Sequence, residues 1–123
     1  MKIQHLVILF SCFSLFSGLS IAGEADVIAV KMTPRGDHRY DFSVTVRHAD
    51  SGWDHYANRW EVLDVAGNVI ASRVLLHPHV GEQPFTRGLS GVEIPAEIKQ
   101  VRIRAHDLVH EYGGSELVVD LTE

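Results

Sequence analysis

The chain has 123 residues, 11 of them basic and 16 acidic, for a formal net charge of −5. An acidic chain without a basic cluster lacks the electrostatic footprint of a nucleic-acid binder or of a protein held on anionic membranes. The one cysteine, Cys12, excludes an intrachain disulfide framework and a thiolate-rich metal centre.

Residues 1–22 read as a signal peptide. Met1-Lys2 gives a positive start, Leu6 to Ile21 is apolar with small polar interruptions, and Ser20-Ile21-Ala22 fits the small-x-small rule for leader peptidase. Cleavage is expected after Ala22. The apolar run is short for a membrane span. Leu9-Phe10-Ser11-Cys12 is a poor lipidation signal, because bulky Phe10 stands where a small residue is wanted. The predicted mature protein, Gly23 to Glu123, keeps 10 basic and 16 acidic residues and loses Cys12 with the leader. It is expected to be periplasmic or secreted, with no membrane insertion once the leader is gone. Its 101 residues suit one domain with one core.

Seven strands are predicted in chain order. Ala25 to Met32 is the first, ending at the turn Pro34-Arg35-Gly36-Asp37. Tyr40 to His48 alternates strictly, with Tyr40, Phe42, Val44, Val46 and His48 on one face and Asp41, Ser43, Thr45 and Arg47 on the other. A polar loop, Ala49 to Asn58, leads to a third strand, Arg59 to Val65. The turn Ala66-Gly67-Asn68 leads to a fourth, Val69 to Leu76. Phe85 to Leu89 and Val92 to Ile94 read as a fifth strand interrupted at Ser90-Gly91. Gln100 to Ala105 alternates again, and Glu116 to Leu121 is the last strand. No segment sustains a helical period.

Seven short strands in about 100 residues predict an all-β antiparallel sandwich of immunoglobulin or fibronectin type III kind. Trp60 resembles the core tryptophan of such domains. The approach Ile94-Pro95 through Val101, Ile103, Ala105 and Asp107 resembles that to their sixth strand. The chain departs from them in having no cysteine pair and no tyrosine at the usual corner.

Seven of the eight histidines lie beyond the leader. If consecutive strands are antiparallel, the ends of strands 2, 4 and 6 share a pole with the loops that follow them. His48, His55, His77, His79, His106 and His110 then map to that pole, and only His38 maps to the other. His77 and His79 stand two apart in a segment that Pro78 keeps extended, so both rings can face one side. Asp54, Glu82, Asp107 and Glu111 lie near enough to orient imidazoles. A histidine-rich, thiol-free site suits copper or zinc. The expected metal ligands are therefore His48, His55, His77, His79, His106 and His110. The alternative is a metal-free module that binds a protein or glycan partner, its histidines forming a structural hydrogen-bond network. No catalytic residue is marked. Asp54-His55 and His106-Asp107 are adjacent on extended chain and point to opposite faces, and Ser51 and Ser115 have nothing to activate them.

Four segments carry a wider resemblance: His48-Ala-Asp-Ser-Gly-Trp-Asp-His-Tyr-Ala57, Leu75-Leu-His-Pro-His-Val80, Glu82-Gln-Pro-Phe-Thr-Arg87 and Ala105-His-Asp with His110-Glu-Tyr-Gly-Gly114. Together they resemble a family of small secreted bacterial proteins of uncharacterised function. The resemblance implies a bacterial periplasmic origin and no particular activity.

Overall fold

The structure, a computed structural model, describes residues 23–121; the expected leader, residues 1–22, lies outside the described residues. Seven strands form: β1 (Asp26–Gly36), β2 (Arg39–Arg47), β3 (Ala57–Leu63), β4 (Val69–Val74), β5 (Phe85–Glu93), β6 (Gln100–Asp107) and β7 (Leu117–Asp120). They build two antiparallel sheets, ordered β1-β2-β5 and β4-β3-β6-β7. The all-β sandwich expected from the alternation is therefore present. Among the described residues there is no helix.

The alternating strands face one another across the core. Phe42, Val44 and Val46 of β2 share one buried cluster with Val101, Ile103 and Ala105 of β6 and with Trp60 and Val62 of β3. Each such large apolar side chain contributes roughly 1.5–3 kcal/mol on leaving water. A one-residue slip in either strand would turn its whole apolar set outward, so this core holds the register.

Strand ends shift by one or two residues from the sequence reading throughout, and two differences are larger. β1 runs through Pro34 to Gly36, because β1 is an edge strand and an edge tolerates a residue without an N–H. The turn is then only Asp37-His38, with φ of 54° and 62°, the two positive values that a tight hairpin demands. β5 is continuous, and Ser90-Gly91 form a bulge opposite Asp41. Gly91, at φ 67°, donates its N–H to the Asp41 carboxylate at 2.9 Å.

Strand polarity gathers three loops at one pole, those after β2, β4 and β6. The start of β1 joins them, since Asp26 pairs with Arg47 at the end of β2. The segment leading into β1 is firmly held. Ala25 and Val27 are buried, the Val27 N–H donates to the Ser115 carbonyl at 2.9 Å, and the Ser115 N–H donates to Asp26 at 2.8 Å. Gly114 permits this contact, because a Cβ there would stand 1.9 Å from the Ala25 carbonyl oxygen.

Candidate metal centre

His48 continues the inward register of Phe42, Val44 and Val46 one step past β2. Asp107 is the last inward position of β6, after Ala105. The two side chains close the end of the core from opposite sheets, and both are fully buried. His55 reaches them from the β2–β3 loop. A tight turn directs it there, with the Ser51 N–H donating to the His55 carbonyl and the His55 N–H to the Gly52 carbonyl. His110 arrives from the turn after β6, its ring 5.1 Å from that of His55.

His48 Nε2 and His55 Nε2 lie 3.2 Å apart. His55 Nε2 is 3.4 Å from Asp107 Oδ1, and His48 Nε2 is 3.8 Å from Asp107 Oδ2. The three residues each offer a ligand atom within 4.8 Å of the others. A tetrahedral ion with bonds near 2.0–2.1 Å spaces its ligands about 3.3 Å apart, so this group has the dimensions to hold one.

The protons do not balance without a cation. The Asp50 carboxylate accepts the Ala57 and His79 backbone N–H groups at 3.0 and 2.8 Å, and the Nδ1–H of His48 at 2.5 Å. His48 thus spends its Nδ1 proton on Asp50, which aims Nε2 at the centre. That Nε2 faces another acceptor, the Gly23 carbonyl oxygen, at 2.8 Å. Asp107 Oδ1 accepts the Val109 and His110 N–H groups at 2.9 and 2.7 Å, whereas the buried Oδ2 has no hydrogen-bond partner. Acceptors therefore converge here from Gly23, His48 and Asp107, beside His55 Nε2, which donates or accepts according to its tautomer. Either an extra proton on the imidazoles or a metal ion supplies the missing positive charge. Burial pushes the Asp107 carboxyl up, but the two backbone N–H groups and the nearby His48 and His110 outweigh it and leave it below the usual carboxylate range.

Of the remaining predicted ligands, His110 touches the group, its Nδ1 3.3 Å from Asp107 Oδ1, and His77, His79 and His106 stand apart from it. His79 connects to it indirectly, through Asp50 and Gln83: its Nδ1 is 4.0 Å from Asp50 Oδ2, its Nε2 accepts from Arg87 at 2.9 Å, and its ring stacks on Phe85. Burial first, then Arg87 and His77, lowers its pKa. His77 lies against the His79 ring and is exposed. His106 faces the other side of the sheet, next to Asn58 and Tyr112. The alternation that turns Asp107 inward turns His106 outward.

The sequence reading assigned Asp107 only an orienting part and passed over Asp50 and Gly23. Asp50 orients His48, and Gln83 braces the same loops, accepting the His48 N–H and donating to the His79 carbonyl, both at 3.0 Å. Inward parity at the end of β6 was the signal for Asp107. The antiparallel start of β1 was the signal for Gly23.

No family model matches the chain, and no solved structure does. It is similar to a protein of Halomicrobium mukohataei named "Putative lipoprotein", with 42% identity over 97 residues, 79% of this chain and 47% of the relative. The chain thus spans about half the length of the curated relative it matches.

Proposed function

We propose that this protein binds a transition metal, copper or zinc, outside the cytoplasm, with His48, His55 and Asp107 as its side-chain ligands. The observation that carries this is the convergence of acceptors on one buried point, with His48 Nε2 between the Gly23 carbonyl at 2.8 Å and His55 Nε2 at 3.2 Å. Two imidazoles and a carboxylate form a borderline donor set that both ions accept. Three side-chain ligands leave a coordination position for a further group. The leader read in residues 1–22 and the name of the relative support the compartment. Native mass spectrometry of untagged protein tests the reading: one ion per chain is expected, lost in His55→Ala and kept in His77→Ala/His79→Ala. Acid should release the ion, since the imidazoles must be deprotonated to bind it. Absence of any bound ion at micromolar zinc or copper would overturn the reading.

A second reading has its own support. Trp53 is 65% exposed at this pole, edge-on to Tyr56, and Leu76, Val80, Leu108 and Val109 are exposed on the adjoining loops. Such a rim suits a protein or glycan partner. If the module works without metal, chelator leaves both partner capture and thermal stability unchanged.

A further inference from the structure

We infer that the amino group of Gly23, released by leader cleavage, is itself a ligand, so that the metal centre is completed only when the precursor is processed. This rests on the metal reading above. Two independent observations meet on Gly23. The sequence places the expected cleavage between Ala22 and Gly23. The structure places the Gly23 carbonyl oxygen 2.8 Å from His48 Nε2, on the side of the ring that faces His55 and Asp107.

Gly23 is held there from both directions. Its Cα packs against the His110 ring so closely that a Cβ would stand 2.6 Å from Cε1 and 2.7 Å from Nε2. Two residues on, buried Ala25 begins the clamped entry into β1, with Gly113 and Gly114 beneath it. Little slack therefore separates the anchored strand from the site.

Hydrolysis of the Ala22–Gly23 amide adds one water. The Ala22 carbonyl carbon takes the hydroxyl and leaves as a carboxylate, and the Gly23 nitrogen becomes an amine. An amide nitrogen binds a metal only if it loses its N–H proton, whereas an α-amine has a lone pair. Its unperturbed pKa, about 7.7–8.0, lets a metal displace the proton near neutral pH. The amine and carbonyl of one glycine close a five-membered chelate ring with one ion. That gives Gly23 two donor atoms beside His48, His55 and Asp107, for a centre of five donors in all. In the precursor the same nitrogen is an amide, and the chelate cannot form. The centre would then load after export, and not in the cytoplasm.

The test compares three forms of the full domain: one beginning at Gly23, the same chain N-acetylated, and one that retains Ala22. Circular dichroism and metal-free melting first establish that all three fold alike. Zinc and copper(II) affinities are then measured by competition with a chelator. The Gly23 form should bind more tightly than the other two by roughly a hundredfold or more, since a tethered second contact adds roughly 10²–10⁴ to an affinity. Its amine should also resist acylation only when metal is present. Equal affinities in all three forms, or an amine acylated as fast with metal as without, would overturn the inference and leave the side-chain site standing. Exported protein whose mass shows a start other than Gly23 would overturn it as well. Loss of binding in every form would instead remove the metal reading itself.

Discussion

Glu61 and Asp107 are buried carboxylates on neighbouring strands of one sheet, and they point to its opposite faces. Glu61 is saturated. It accepts Arg59 and Arg104 at 2.8 Å each and the Tyr112 hydroxyl at 3.1 and 3.3 Å, and the Arg104 guanidinium lies 3.8 Å above the Tyr112 ring. Burial raises its pKa, and these donors more than offset the rise, so the group stays below the ordinary carboxylate range. Asp107 receives comparable help on Oδ1 from backbone N–H groups, but Oδ2 faces imidazoles and has no donor. One cluster carries its own cations within the fold. The other leaves buried acceptors short of positive charge. Leaving such a group unpaired costs roughly 1–3 kcal/mol, so the second arrangement is where an outside cation gains most.

Substitutions separate these two regions by size of effect. Asp50→Ala should do most. It strips an acceptor from three buried N–H groups, at roughly 1–3 kcal/mol each, for a total of roughly 3–9 kcal/mol. A lower urea midpoint with an unchanged m value is the expected record. A shift under 1 kcal/mol would mean that the loops of this pole do not depend on Asp50.

Metal comes next. Zinc at a hundredfold excess over its Kd should add about 2.7 kcal/mol, or roughly 10–20 °C in Tm for a domain of this size. His55→Ala should remove that increment. His77→Ala together with His79→Ala should keep it, since neither ring belongs to the convergent group. Retention in His55→Ala with loss in the double variant would relocate the site to the β4–β5 loop.

Glu61→Gln sharpens the comparison from the other face. It exchanges a charged network for a neutral one in a site where Arg59 and Arg104 are still partly in water. A loss of about 1–2 kcal/mol is expected, with the zinc increment intact. If zinc stabilisation fell with it, the two faces would be coupled and the contrast would fail.

The smallest effect concerns acid. Burial, Arg87 and His77 hold the pKa of His79 below 6.5, against the opposing pull of Asp50 and Glu82. The unfolded chain therefore takes up the proton first as pH falls. The stability contributed by neutral His79 is present above pH 6.5 and is lost as pH drops through the lower folded value. His79→Gln should flatten this part of the curve, read as urea midpoints in metal-free buffer at a series of pH values. An unchanged slope would assign the acid sensitivity to other groups.

The sandwich and its polarity were legible in the chain because period-2 alternation is a local property. Phe42, Val44 and Val46, and Val101, Ile103 and Ala105, can be buried together only on the inner faces of sheets. Given alternating strands, the gathering of His48, His55, His77, His79, His106 and His110 at one end follows without tertiary detail. Which of these rings meet was decided by tertiary structure. Inward parity carries His48 and Asp107 past the ends of their strands into one space, and it carries His106 to the far face beside Tyr112. A turn across Gly52 swings His55 inward, and the carboxylate of Asp50 selects which nitrogen of His48 keeps the proton. These outcomes depend on loop geometry and on hydrogen bonds between residues far apart in the chain. Residue spacing encodes which face of a strand a side chain occupies, and contains no information about which loop atoms will stand opposite it.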